Sequence, residues 1–497
     1  MMVLAADNLA ELRFPLTAKI IGDGATSFAG VSTDTRKLHK GDLFVALRGD
    51  KYDGHVFAEQ AVSGGAAALV VSEELPLEVP QLLVDNTAAA LGRLGSLSRL
   101  NWQGELVAIT GSNGKTTLKE MIGAVMNCAS DGDTLMTEAN HNNTLGVPLT
   151  LLRLTEAHKY AIIEMGTDHP GEIGYSAALA KPSVVILNNI ATAHLAGFGS
   201  RENIAREKGS LLEHLVADGL AILNGDDDFC PLWEDIAKSN GVARILKFGY
   251  GKTCDLRIDN ARHTEEGIAF NIILSPKVSD VLGTLTNGKC LREVTMELPV
   301  AGMHNAMNAT AAFAACFSMG SASSSISDAL GDFYNISGRL HQVSLANNCL
   351  LLDDSYNANP ASMAAAIDTL NARAFGRKRI AIIGDMYELG DAAKEGHREI
   401  GGLAGALNLD GLIACGSMAE EVIDAYRQAA GSDCEKGMDF LRAFADTTSG
   451  NEYLGEYLDE HIKASGIRDA AFLVKGSRGM AMEKTVALLM DKLGTHS

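Results

Sequence analysis

Gly111, Ser112, Asn113, Gly114, Lys115, Thr116 and Thr117 are consecutive, and their types together suit a polyphosphate. Glycines let backbone N–H groups approach phosphate oxygens closely. A lysine ammonium in this position reaches the β- and γ-phosphates, and the following hydroxyl can ligate Mg²⁺. The general phosphate-loop pattern asks for one more glycine, five residues ahead of the Gly-Lys pair. Here that position is Ile109, so the pattern is a shortened one. Read alone, it points to a nucleoside triphosphate and to no particular reaction.

Other side chains could serve the same chemistry from elsewhere in the chain. Glu164 ends the apolar run that begins at Tyr160, and His194 follows the run Ser183–Ile190. A carboxylate suits a hard cation, although a strand-end Glu is commonly a capping residue and a lone His a structural one. Lys208 lies in a helical stretch, Arg201–Val216, where the default is a solvated lysine. Asn305 and Asn308 fall on one helical face; they can meet an adenine edge, or one can cap its helix. Ser32-Thr33-Asp34-Thr35-Arg36 reads either as a phosphate or nucleotide contact or as a capped turn with a surface ion pair. Lys475 and Arg478, at a strand-to-helix turn, can hold a carboxylate.

These residues need strand ends to stand on. Glu105–Thr110 reads as a buried strand before the glycine-rich turn, and Leu118–Met126 carries apolar residues at helical spacing after it. The phosphates would then sit at a helix N-terminus. Strand and helix alternate along most of the chain, which predicts α/β architecture with mostly parallel sheets and ligands beyond the carboxyl ends of the strands. Three domains are expected: a small N-terminal α/β domain (1–100), a central phosphate-loop parallel-sheet ATPase domain (101–335) and a C-terminal Rossmann-like α/β domain (336–497). In the last, Leu350–Asp354, Arg379–Gly384, Leu412–Gly416 and Ala471–Gly476 read as strands or strand ends. No Gly-x-Gly-x-x-Gly follows the first of them, which argues against a dinucleotide. Residues 250–300 predict a peripheral antiparallel excursion or a long loop, and 275–293 suggests no function.

Composition removes several classes. A net charge of −20 argues against broad binding to nucleic acid or to an anionic membrane. No apolar run is long enough to span a bilayer, and no secretory signal is visible. The 8 cysteines include no Cys-x-x-Cys pair, so reduced thiols in a cytoplasmic protein are expected.

Several blocks taken together resemble the Mur ligases of bacterial cell-wall synthesis. They are Ser32–Arg36, Thr110–Thr117, Asn140–Pro148, Glu164–Ile173, Asn189–Leu195, His304-Asn305 with Asn308, Gly338-Arg339, Asp354–Pro360 and Lys475–Arg478. The Glu-Met-Gly…His-Pro-Gly-Glu-Ile block favours the branch that adds D-alanyl-D-alanine to UDP-MurNAc-tripeptide. The resemblance implies ATP and Mg²⁺ as cofactors, an acyl-phosphate intermediate and a cytoplasmic enzyme, with a monomer as the expected state. It implies that Lys115 and Thr116 serve the ATP phosphates and magnesium, and that Glu164 and His194 ligate magnesium. It further implies a carbamylated Lys208, adenine contacts from Asn305 and Asn308, Arg339 on the phosphates and Asp354 on the ribose. Thr35 and Arg36 fall to the sugar-nucleotide substrate, Asn357, Lys475 and Arg478 to the dipeptide, and Asn142 to substrate binding. Relatives often carry an acidic residue two positions after the lysine, where this chain has Ser210. The alternatives are a related ligase of single amino acids, including the folylpolyglutamate type, and a phosphate-loop kinase or regulatory ATPase.

Overall fold

Short runs of Val, Ile, Leu and Ala between helical stretches fold here as three α/β units, each with its own sheet. The computed structural model describes every residue except 1–3, 5, 50–51, 192–194, 283–290, 335, 432–439, 465–466 and 496–497.

The first sheet holds β1 (Lys19–Ile21), β2 (Val31–Ser32), β3 (Leu43–Val45), β4 (Ala68–Val71) and β5 (Gln81–Leu83). Their order is β1-β5-β4-β3-β2, with β1 antiparallel to β5 and the other pairs parallel. Every residue of β3 and β4 is buried, as expected of strands covered on both faces.

The central sheet holds β6 (Glu105–Thr110), β7 (Thr134–Met136), β8 (Tyr160–Glu164), β9 (Val184–Leu187), β10 (Leu220–Asn224), β11 (Arg244–Gly249), β12 (Leu256–His263), β13 (Ile268–Leu274) and β14 (Glu293–Leu298). The order is β14-β13-β12-β11-β10-β9-β6-β8-β7. β6 lies between β8 and β9, so the chain departs to both sides of it, and a crevice opens at the carboxyl end of β6. Val107 and Ile109 of β6 face one core with Leu118, Met121, Ile122 and Val125 of the helix Lys115–Ser130. Leu106 and Ala108 face the other, with Val147 and Leu151. Alternation at period two along the strand and 3.6 along the helix produces this division.

The third sheet holds β15 (His341–Leu345), β16 (Cys349–Asp354), β17 (Lys378–Gly384), β18 (Gly411–Cys415), β19 (Leu441–Phe444) and β20 (Ala470–Lys475). Its order is β15-β16-β20-β17-β18-β19, parallel except for β15.

The α/β expectation holds, and the stretch 250–300 is an antiparallel extension of the central sheet, β12-β13-β14, not a long loop. Residues 283–290, within the stretch to which no function was given, lie outside the described residues. The helix expected over 201–216 is α-helical only for Arg201–Gly209 and tightens to a 3₁₀ turn at Ser210–His214. There the Ser210 hydroxyl donates to the Glu207 carbonyl at 2.6 Å, a local bond that competes with a regular helix ladder. Among the described residues no helix is long and apolar enough to cross a membrane.

Candidate active site

The glycine-rich turn leaves β6 at Thr110, whose hydroxyl donates to the Met165 carbonyl at 2.8 Å. Gly114 opens the following helix at φ +78, a left-handed conformation that favours glycine. A Cβ there would lie 2.8 Å from both Asn188 Nδ2 and Asn308 Oδ1. The loop rests on a chain of amides. Asn188 Nδ2 donates to the Asn113 carbonyl at 2.9 Å and to Asn308 Oδ1 at 3.0 Å. Asn308 Nδ2 donates to Asn305 Oδ1 at 3.0 Å, and Asn305 Nδ2 to the Ala301 carbonyl at 2.7 Å. Asn189 accepts the Ser112 N–H on its carbonyl and the Asn113 N–H on Oδ1, both at 2.8 Å. The residues just beyond β9 thus fix the shape of the turn.

Lys115 Nζ folds back onto its own loop, donating to the Gly111 carbonyl at 2.7 Å and the Ser112 carbonyl at 3.4 Å. Burial pushes its pKa down, while the nearby Glu164 carboxylate opposes the shift. Glu164 ends β8, fully enclosed. Its Oε1 accepts from Asn142 Nδ2 at 2.9 Å, whereas the buried Oε2 has no hydrogen-bond partner among the described residues. The buried Ser112 hydroxyl also lacks one. Orphaned polar atoms of this kind are costly unless a ligand completes them. A lone carboxylate oxygen beside phosphate-loop donors therefore fits a divalent cation bound with phosphate.

Lys208 is not the solvated lysine expected by default: it is 2% exposed and lines the same space. Burial, reinforced by Lys115, pushes its pKa down to about 7. Its helix packs inward through Ile204, Ala205 and Lys208, which puts the lysine on the buried face of the helix.

The third unit supplies the opposite wall. Asp354 ends β16 and Lys475 ends β20, in register on neighbouring strands, and they pair at 2.6 Å. Lys475 also donates to the Asn357 carbonyl at 2.8 Å. The Arg339 guanidinium lies 4.0 Å from the centre of the Tyr356 ring, and that of Arg478 lies 5.7 Å from it. Arg339 Nη2 reaches across to the Thr116 hydroxyl at 3.2 Å. Between the carboxyl ends of the central and third sheets lies a cavity of about 580 Å³, lined from both sides.

Comparison with known proteins accounts for this arrangement. The pattern of the Mur ligase middle domain matches residues 109–316, that of the Mur ligase, glutamate ligase domain residues 338–478, and that of the Mur ligase family, catalytic domain residues 27–99. A Haemophilus influenzae protein named UDP-N-acetylmuramoyl-tripeptide--D-alanyl-D-alanine ligase is 37% identical, over 99% of this chain and 100% of its own. The chain belongs to the Mur ligase family.

Among solved structures, MurF from Acinetobacter baumannii superposes on this Mur ligase with a TM-score of 0.84 at 32% identity, covering 97% of this chain and 98% of that one. MurF from Thermotoga maritima in complex with ADP shares the fold, with a TM-score of 0.76 at 23% identity over 93% and 97%.

The Mur ligase cavity gathers Ser112–Thr117, Asn142, Glu164, Lys208, Asn305, Asn308, Arg339, Asp354, Asn357, Lys475 and Arg478. It does not gather Thr35 or Arg36. Arg36 pairs with Asp34 at 2.7 Å with its side chain 84% exposed, and the guanidinium holds the Asp34 carboxyl down at about 2. The turn itself is capped, the Arg36 N–H and guanidinium both donating to Asp34. His194 lies outside the described residues. Asn188, Asn189, Tyr356 and Asn359 were not singled out from sequence, although each sits inside or beside a stretch that was. One further trio, Asp53, His55 and Glu73, has metal-ligating chemistry in the first unit. Arg48 pairs with both carboxylates there, and both His55 ring nitrogens are engaged by Asp53 and Ser72.

Proposed function

We propose that this Mur ligase joins D-alanyl-D-alanine to UDP-N-acetylmuramoyl-tripeptide in an ATP-dependent reaction, yielding the pentapeptide precursor of peptidoglycan. One observation carries the reading. A phosphate loop with its lysine, an uncompensated buried carboxylate oxygen, and cations from a second domain converge on one cavity. The near full-length similarity to ligases of that name supports the choice of substrates.

The first domain holds the UDP end of the sugar nucleotide, with Thr35 and Arg36 on that side. The central domain holds ATP, and the third closes over both. Amide formation has to activate a carboxylate by joining two anions. The tripeptide's terminal carboxylate takes the γ-phosphoryl group to give an acyl phosphate and ADP. The dipeptide amine then displaces phosphate. Lys115 releases its loop carbonyls to neutralise the transferring group, and Arg339 leaves the Thr116 hydroxyl to meet the phosphates. Asn142 orients the Glu164 carboxylate and does not need to touch substrate for this role. Glu164, Thr116 and, on the family resemblance, His194 would hold Mg²⁺, which supplies charge neutralisation at the phosphates when bound.

Lys208 is mainly the neutral amine above pH 7, the form that takes up CO₂ as a carbamate and so gains a carboxylate beside the cation site. On the family resemblance, Asn305 and Asn308 are assigned to the adenine and Asp354 to the ribose. On the same resemblance, Asn357, Lys475 and Arg478 are assigned to the incoming dipeptide. Closure of the third domain over the cavity would keep water from the acyl phosphate. The enzyme acts in the cytoplasm as a monomer.

The test is ADP and phosphate formation from ATP and Mg²⁺ with each substrate alone and with both. The reading expects turnover only with both; equal turnover without the dipeptide would identify an ATPase.

A further inference from the structure

Asn359 lies outside the residues assigned above, yet with Arg339 it is a place where the third domain touches the phosphate loop. It is the N-cap of the helix Pro360–Arg373, with Pro360 as the first helical residue. Its Oδ1 accepts the Ser362 N–H at 2.9 Å, and the Ser362 hydroxyl accepts the Asn359 N–H at 3.0 Å, a closed capping box. Because the cap needs the amide oxygen, the orientation of the amide is settled by chemistry. Nδ2 points away from the helix and donates to Asn113 Oδ1 at 2.7 Å. Asn113 is the residue before Gly114 in the phosphate loop. Its N–H is held by Asn189 and its carbonyl by Asn188 and Asn189, so its side chain is the part left for a partner from outside the central domain. Asn359 is buried, and both asparagines line the cavity.

Resting on the ligase reading above, we propose that Asn359 is a positioning residue: docking of the third domain fixes the Asn113 side chain on the phosphate loop through the Asn359 amide, which donates to Asn113 Oδ1 at 2.7 Å and accepts from Asn113 Nδ2 at 3.5 Å. Oδ1 holds the helix end and Nδ2 holds the Asn113 side chain, so that side chain takes its place at the phosphates only when the domain carrying the acceptor site is seated. Transfer before closure would expose the acyl phosphate to water, and this contact links the two events.

The two roles of the amide can be separated. Asn359→Ser keeps a good N-cap but is too short and lacks the amide donor; Asn359→Ala loses both. Asn359→Ser is expected to keep the wild-type Tm and to lower kcat about tenfold, the scale of one hydrogen bond, with little change in the KM for ATP. In an Asn113→Ala background the same substitution is expected to leave kcat where Asn113→Ala put it, because the contact is already gone. Three results would overturn the proposal: an equal kcat loss in both backgrounds, unchanged kcat in Asn359→Ser, or a Tm loss in Asn359→Ser matching Asn359→Ala. Ligation by the unmodified enzyme with an additive cycle contradicts the positioning role alone. No ligation by the unmodified enzyme contradicts the functional reading and the positioning role with it.

Discussion

Arg339 donates to the Thr116 hydroxyl at 3.2 Å across 223 residues of sequence, joining the third domain to the hydroxyl best placed for a cation. In the proposed reaction, phosphates entering the loop take this contact over. Arg339→Ala is expected to lower kcat/KM for ATP by about a hundredfold or more, and Arg339→Lys to restore only part, because an ammonium lacks the planar fork and stacks less well on Tyr356. Steady-state kinetics with ATP varied will check both.

Glu164 trades stability for chemistry. Its buried Oε2 has no partner, so Glu164→Gln is expected to raise the thermal midpoint in chelator by an amount equivalent to about 1–3 kcal/mol. The same variant should lose about a thousandfold in turnover and the stabilisation that Mg²⁺-ATP gives the wild type. Thermal melts with and without Mg²⁺-ATP, paired with ADP release, read both effects.

Lys208 gives a pH signature. Its ammonium ordinarily titrates at 10.5, and burial moves it to about 7 in the folded chain. Between those values the unfolded chain holds the proton that the folded chain has lost, so the cost of burying the ammonium is fully present below pH 7 and is relieved as pH rises towards 10.5. In carbonate-free buffer, wild type minus Lys208→Met should show a stability slope of about one proton over that window, rising with pH. Added bicarbonate should raise wild-type activity and leave Lys208→Met unchanged, while intact-mass analysis seeks the carboxyl adduct.

Gly114 meets two constraints at once. Alanine there would have to adopt φ +78 and place a methyl 2.8 Å from the Asn188 and Asn308 amides. Gly114→Ala is expected to cost about 1–3 kcal/mol and to weaken ADP binding at least tenfold, measurable by denaturant melts and calorimetry.

How much of this was legible in the sequence depends on distance along the chain. The phosphate loop was readable because Gly114, Lys115 and Thr116 are contiguous and stand between a buried strand and an amphipathic helix. Glu164 was readable because an apolar run ends in a carboxylate. The Asp354–Lys475 pair was not, because it requires β20 to insert between β16 and β17, a fact of topology with no local trace. Lys208 looked exposed because charges surround it at Arg206 and Glu207, and only tertiary packing turns that one position inward. The asparagines were visible, but the scaffolding of the loop through Asn188, Asn308 and Asn305 was not, since an amide's partner cannot be read from its type.

The cavity is proposed to make an amide with a dipeptide. The most direct measurement is the product mass after incubation of the enzyme with UDP-N-acetylmuramoyl-tripeptide, ATP and Mg²⁺ in a mixture of D-alanyl-D-alanine, D-alanine, L-lysine and L-glutamate. The account predicts one product, heavier by a D-alanyl-D-alanine residue pair, with one ADP formed for each. A product carrying a single amino acid, or ADP formed with no new amide, would contradict it.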